Sequence, residues 1–122
     1  MRTLYWIGGS KKDLIGFPMP VIKDVGFTLR NVQFGVTPDN VKPLKGFGGA
    51  SVQEVVVDHN KSTYRAVYTV ALKHGVYVLH CFQKKSVSGI KTPQPDIDLI
   101  KARLQIARQL DMEKDHEIEK GR

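Results

Sequence analysis

The residues best suited to chemistry in this chain are cationic, and they gather around one apolar run. Arg65 lies in "TYRAVY", among aromatic and β-branched residues, where a charge needs a reason. Its guanidinium is always protonated and fork-shaped, so it suits a phosphate better than proton transfer. The alternative is an ion pair with Glu54 or Asp58 across a hairpin. Gln83, Lys84 and Lys85 stand where the apolar run beginning at Val76 breaks the surface. Two lysines there either end a hydrophobic strand as solubilising charges or reach for an anion. If the strand continues that far they point to opposite sides, so one at most lines any given pocket, and Lys84 shares a face with His80 and Phe82. Repulsion within a Lys/Arg cluster would lower a lysine pKa and make it a proton carrier. His80 titrates near neutrality when unperturbed and is a second candidate carrier. Its position between Leu79 and Cys81 equally fits a buried, satisfied ring.

A second set surrounds these. Lys42 and Lys45 belong to a "KPLKGFGG" loop whose glycines would let backbone N–H groups approach a ligand, although a sharp loop entering a strand needs glycine anyway. Lys91 follows a Gly89-containing loop and precedes a helix start at Thr92-Pro93, whose positive end attracts anions. His59 sits in a hairpin turn. His74 and His116 read as surface residues. Cys81, the single cysteine, reads as a small buried hydrophobe, with His80 on the opposite strand face. No His/Cys spacing resembles a zinc site and no Walker pattern accompanies the glycines, so neither metal nor cofactor is expected.

The elements that position these residues can be read in order. Thr3 to Ile7 is a short strand, Ser10 caps a brief helix over Lys11 to Ile15, and a second helix covers Pro20 to Phe34 with Ile22, Val25, Leu29 and Val32 at helical spacing. An irregular connection, "VTPDNVKPLKGFGGAS", follows. Val52 to Asp58, Thr63 to Leu72 and Val76 to Lys84 read as three strands joined by the turns "HNKS" and "KHG". Thr92-Pro93 opens a last helix with Ile97, Ile100, Leu104, Ala107 and Leu110 on one stripe. The order β-α-α-β-β-β-α predicts an α+β fold, a largely antiparallel four-stranded sheet with its helices on one face. A single domain spanning 1–122 is expected, with 112–122 a solvated or frayed helix end.

Composition bounds the partners. At 122 residues, with 41% hydrophobic and 25% charged residues, the chain is of ordinary globular make-up. Its net charge of +7 favours polyanions, nucleic acid first among them. The tail "DMEKDHEIEKGR" carries no basic excess, with five acidic residues against three basic ones, so the excess lies before it. No apolar stretch approaches the ~20 residues of a membrane span, and the first residues lack the order of a signal peptide. A cytoplasmic protein is expected.

"VKPLKGFGG", "TYRAVYTV" and "VYVLHCFQKKSVSGIKTPQPDIDLIKARL", in that order, resemble the phage-derived Gp49-like family, the HigB-like branch of the RelE/ParE toxins of bacterial toxin–antitoxin systems. The likeness runs from "LYWIGGSKKDL" to about Leu110. It implies the RelE/ParE-like fold and a ribosome-dependent mRNA endonuclease, neutralised by an antitoxin with a helix-turn-helix domain through which operator DNA is reached. In that reading Arg65, Lys84, Lys85 and His80 are catalytic, while Lys42, Lys45, Gln83, Lys91 and His59 bind RNA. One departure is that RelE-type relatives often carry basic residues on the strand that here reads "VQEVVVD". Two alternatives share the fold: a ParE-like inhibitor of DNA gyrase that cleaves nothing, and a non-toxic phage-derived nucleic-acid-binding protein.

Overall fold

The computed structural model describes residues 1–48, 51–84 and 91–121. The elements are β1 (Leu4–Trp6), α1 (Ser10–Ile15), α2 (Met19–Gln33), β2 (Val41–Pro43), β3 (Val52–His59), β4 (Ser62–Thr69), β5 (Val76–Lys84) and α3 (Gln94–Lys120). The α+β class is as expected, but the sheet has five strands, in the order β1-β5-β4-β3-β2. The added strand, β2, lies inside the connection read as irregular, where Val41, Lys42 and Pro43 pair antiparallel with Val55, Glu54 and Gln53. Three residues ending in proline give no alternating pattern, and proline is tolerated there because β2 is an edge strand. The sheet is mixed, because β1 runs parallel to β5, Leu4 opposite Val76.

Helices cover both faces of the sheet, not one. Leu14 of α1 and Val21, Val25, Leu29 and Val32 of α2 pack with Val55, Val57, Tyr64, Ala66, Val78 and Cys81. Ile100, Leu104 and Ala107 of α3 pack on the other side with Val52, Val67, Tyr77 and Leu79. The unbroken apolar run of β5 is the consequence, since a strand covered on both faces has no solvent side to make polar. Leu110 falls off the buried stripe and is 39% exposed, while the buried Asp111 takes its place. Asp111 accepts hydrogen bonds from the backbone N–H groups of Lys73 and His74 (2.9 Å each) and from the Tyr77 hydroxyl (2.8 Å). Burial pushes the Asp111 carboxyl up, but these bonds outweigh it and hold the group below the usual carboxylate range. The stretch expected as a solvated end is regular helix to Lys120, mostly exposed, with Asp115 2.6 Å from Nε2 of the half-buried His74.

Two local features set the register of β4. Asn60 and Lys61, with φ of 48° and 64°, form the two-residue turn between β3 and β4 and place His59 opposite Ser62. Between β4 and β5 the ladder shifts: Val67 faces His80 but Tyr68 faces Val78, so Leu79 is the extra residue of a β-bulge. The bulge places Leu79 and His80 successively on the α3 face. Arg103 of α3 donates to the Leu79 carbonyl (2.9 Å) and passes so close to Gly8 that a Cβ there would lie 2.9 Å from its Nε. Gly8, at φ +56°, is free to adopt that backbone without strain.

Candidate functional site

Arg65 occupies the centre of the α3 face at the end of the sheet where β3, β4 and β5 meet. Val56 of β3 and Phe82 of β5 stand directly opposite it. Its diagonal neighbours are Glu54 and Asp58 on β3, and His80 and Lys84 on β5. Such diagonals lie about 7–8 Å apart, within reach of long side chains. His80, Phe82 and Lys84 share this face by regular alternation along β5, and the bulge at Leu79 begins beyond them.

Arg65 is buried and binds Glu54, Nη1 to Oε1 at 2.5 Å. The ion pair weighed from the sequence therefore forms, and Glu54 is the partner. Asp58 accepts from Thr63 (2.9 Å). Lys42, opposite Glu54 on β2, brings its Nζ to 3.6 Å of the same carboxylate oxygen while staying half exposed. Lys84, 7% exposed, joins the cluster from β5. Burial pushes its pKa below the ordinary lysine value and the Arg65 cation adds to this, with Glu54 opposing and Lys42 contributing further lowering. The direction is the one anticipated for such a cluster, but burial rather than mutual repulsion is its main cause.

His80 is buried at the other diagonal. Its Nε2 lies 2.7 Å from Asp96 Oδ1 in the first turn of α3, and its ring stacks on Phe82 at 4.8 Å between centroids. A carboxylate beside Nε2 favours the tautomer with hydrogen on that nitrogen, and Nδ1 has no partner among the described residues. Lys84 lies four residues further along β5 than His80, on the order of 13 Å at ~3.3 Å per residue, with Arg65 between the two.

Beside the cluster opens a cavity of about 570 Å³ whose lining includes Lys42, Lys45, Lys91, Lys101, Glu54 and Ile97. Four lysines around a partly apolar hollow form a surface for an anionic ligand. The structure thus brings Lys42, Lys45 and Lys91 to one cavity, next to Arg65 and Lys84. Two other candidates are elsewhere. Gln83 is on the α2 face, exposed, donating to Ser62 Oγ (3.1 Å). His59 is on that face too, tilted against Tyr64 at 6.5 Å. Strand alternation separates both from Arg65. Lys85 lies outside the described residues. Cys81 is buried on the α2 face and its thiol is pushed up to about 12, mainly by burial, as an inert cysteine should be.

Sequence reasoning missed Asp96 and Lys101. Asp96 falls in the expected helix start, and neither residue is given a role by its sequence context. Their roles depend on α3 crossing the face that carries Arg65, which the expected one-sided packing did not provide. Among the described residues, the buried side-chain polar atoms without a hydrogen-bond partner are Glu54 Oε2, Arg65 Nε, His80 Nδ1 and Lys84 Nζ. All four lie on this one face, and such groups call for an explanation.

Fold and site together define an α+β protein with a buried cationic cluster at the end of a mixed sheet, beside a lysine-rimmed cavity. The chain belongs to the family described as phage-derived protein Gp49-like (DUF891), whose profile matches residues 12–105. It is a RelE/HigB-like toxin-type family. No curated protein matches the chain. No helix among the described residues is long and apolar enough to cross a membrane.

Proposed function

We propose that this protein is a HigB/RelE-like toxin that cuts mRNA on the translating ribosome, with the RNA's own 2′-hydroxyl as nucleophile. That reaction needs a base for the 2′ proton, a donor for the leaving 5′ oxygen, and cations for the charge on the pentavalent phosphorane. Arg65 suits the last task, since it stays protonated and offers its unpaired Nε alongside the other guanidinium hydrogens. Lys84, with its pKa lowered, serves as the base. His80 Nδ1 supplies the proton on the opposite side of Arg65. Glu54 holds Arg65 in place, and Lys42, Lys45, Lys91 and Lys101 draw the RNA backbone along the cavity. The ribosome orients the mRNA, and orientation alone contributes substantially to such a step.

A partner antitoxin with a helix-turn-helix domain, through which operator DNA is bound, and a cytoplasmic location complete this reading. Family membership supports the toxin context. The observation that carries the chemistry is the convergence of four unpartnered buried polar atoms on one face, three of them on Arg65, Lys84 and His80. A chain selected for stability alone would pair or remove them. The test is to induce the protein in cells and follow mRNA 5′ ends together with DNA supercoiling. New 5′ ends within translated messages support the nuclease. Intact messages with altered supercoiling assign the protein to gyrase inhibition instead.

A further inference from the structure

His80 would be useless as a proton donor if its ring could turn or change tautomer, and three contacts oppose both. Asp96 Oδ1 takes the Nε2 hydrogen at 2.7 Å. Phe82 lies nearly parallel to the ring, 16° between planes. The Leu79 bulge, immediately next to His80 in β5, is tied to α3 by Arg103. Asp96 and Arg103 therefore both come from α3 and act on consecutive residues of β5. The ring is buried, and its Nδ1 has no partner among the described residues. A histidine kept only for packing would satisfy both nitrogens or expose one to water. Here one nitrogen is fixed and the other is held vacant beside a cationic cluster.

We propose that Asp96 is a positioning residue: it locks His80 as the Nε2–H tautomer, leaving Nδ1 as the proton-transfer nitrogen facing the substrate of the site. The inference rests on the nuclease reading for its role in catalysis, but the tautomer itself does not. In the reaction His80 starts protonated at both nitrogens. Nδ1 gives its proton to the departing 5′ oxygen as the P–O5′ bond breaks and the cyclic 2′,3′-phosphate forms. The ring is left neutral with hydrogen on Nε2, the form Asp96 holds. Lys84 carries away the 2′ proton, so the two transfers balance.

The experiment has two readings on the same full-length proteins. Ring ¹⁵N shifts of His80 report the tautomer directly, and ribosome-dependent mRNA cleavage reports the rate. Wild type should show protonated Nε2 and bare Nδ1 when neutral. Asp96→Asn, whose amide can turn and donate to Nε2, should populate the Nδ1–H form. Its maximal cleavage rate should fall by about 10²–10⁴-fold, the range for loss of a correctly protonated acid–base group. Its ribosome affinity should stay unchanged. Asp96→Glu, which keeps an acceptor-only carboxylate, should recover part of both. Nδ1–H as the wild-type tautomer, or Asp96→Asn with wild-type tautomer and rate, overturns the proposal. If the tautomers behave as described while wild type cleaves no message, Asp96 positions His80 as stated and the nuclease reading is what fails.

Discussion

Lys84 is a side chain whose presence should weaken the fold. Its Nζ is buried, has no partner among the described residues, and shares one face with Arg65. The nearby carboxylate, Glu54, is already engaged by Arg65 at 2.5 Å and by Lys42 at 3.6 Å. Leaving a buried polar group unsatisfied costs about 1–3 kcal/mol, and more when it is charged. Lys84→Met keeps an unbranched apolar stem and removes the charge, so at neutral pH it should stabilise the protein by about 1–3 kcal/mol. For a domain of this size that is a rise in thermal midpoint of roughly 3–15 °C. The pH dependence follows from the direction of the shift. The folded pKa of Lys84 lies below its unfolded value, so between the two the unfolded chain binds more protons and wild-type stability climbs with pH. The advantage of Lys84→Met is therefore full below the folded pKa, fades as pH rises from there, and is lost by the unfolded value near ~10.4. The assay is urea denaturation of both proteins from about pH 6 to about pH 10, compared at equal slope. The same variant should lose about 10²–10³-fold in mRNA cleavage, a stability–function trade-off at one residue. A variant less stable than wild type, or a difference that ignores pH, would refute the reasoning.

Other substitutions test the surrounding frame. Arg65→Ala leaves Glu54 buried with only the half-exposed Lys42, so it should cost about 3–5 kcal/mol, and Arg65→Met combined with Glu54→Gln should recover most of that in a denaturation cycle. Leu104→Ala, in the α3 core, should lose roughly 2–5 kcal/mol, whereas Leu110→Ala, 39% exposed, should shift stability by no more than ~0.5 kcal/mol. Asp111→Ala strips an acceptor from two backbone N–H groups and Tyr77, and should cost about 1–3 kcal/mol at neutral pH. Because the folded pKa of Asp111 is depressed, its contribution is present above the unfolded value and is lost as pH falls through the folded one, so wild type and Asp111→Ala should converge in acid.

What the sequence disclosed and what it hid divide along physical lines. β5 was legible to its ends because nine residues of apolar run bounded by turn residues admit one reading. The pairing of Arg65 with Glu54 could be weighed because a two-residue turn fixes the register of β3 against β4. β2 was not legible, since a three-residue edge strand ending in Pro43 has no periodicity to detect. The side of the sheet that α3 covers was also hidden. Amphipathic helices show which of their own faces is buried, not which sheet face receives it. Asp96 and Lys101 were lost with that choice. The bulge at Leu79 was the subtler loss: one extra residue brings Leu79 and Tyr77 to the α3 face, while Lys84, Phe82 and His80 keep the common side that simple alternation had already given them.

The central claim is tested most directly with purified ribosomes programmed with one message and mixed with this protein, the products mapped by primer extension. Cuts within the translated region that require the ribosome are expected. The cuts should disappear when the start codon is destroyed, and should fall by about 10²-fold or more with Arg65→Lys, whose point charge cannot replace the bidentate fork. A message left intact on ribosomes by folded wild-type protein, or cut equally by Arg65→Lys, would contradict it.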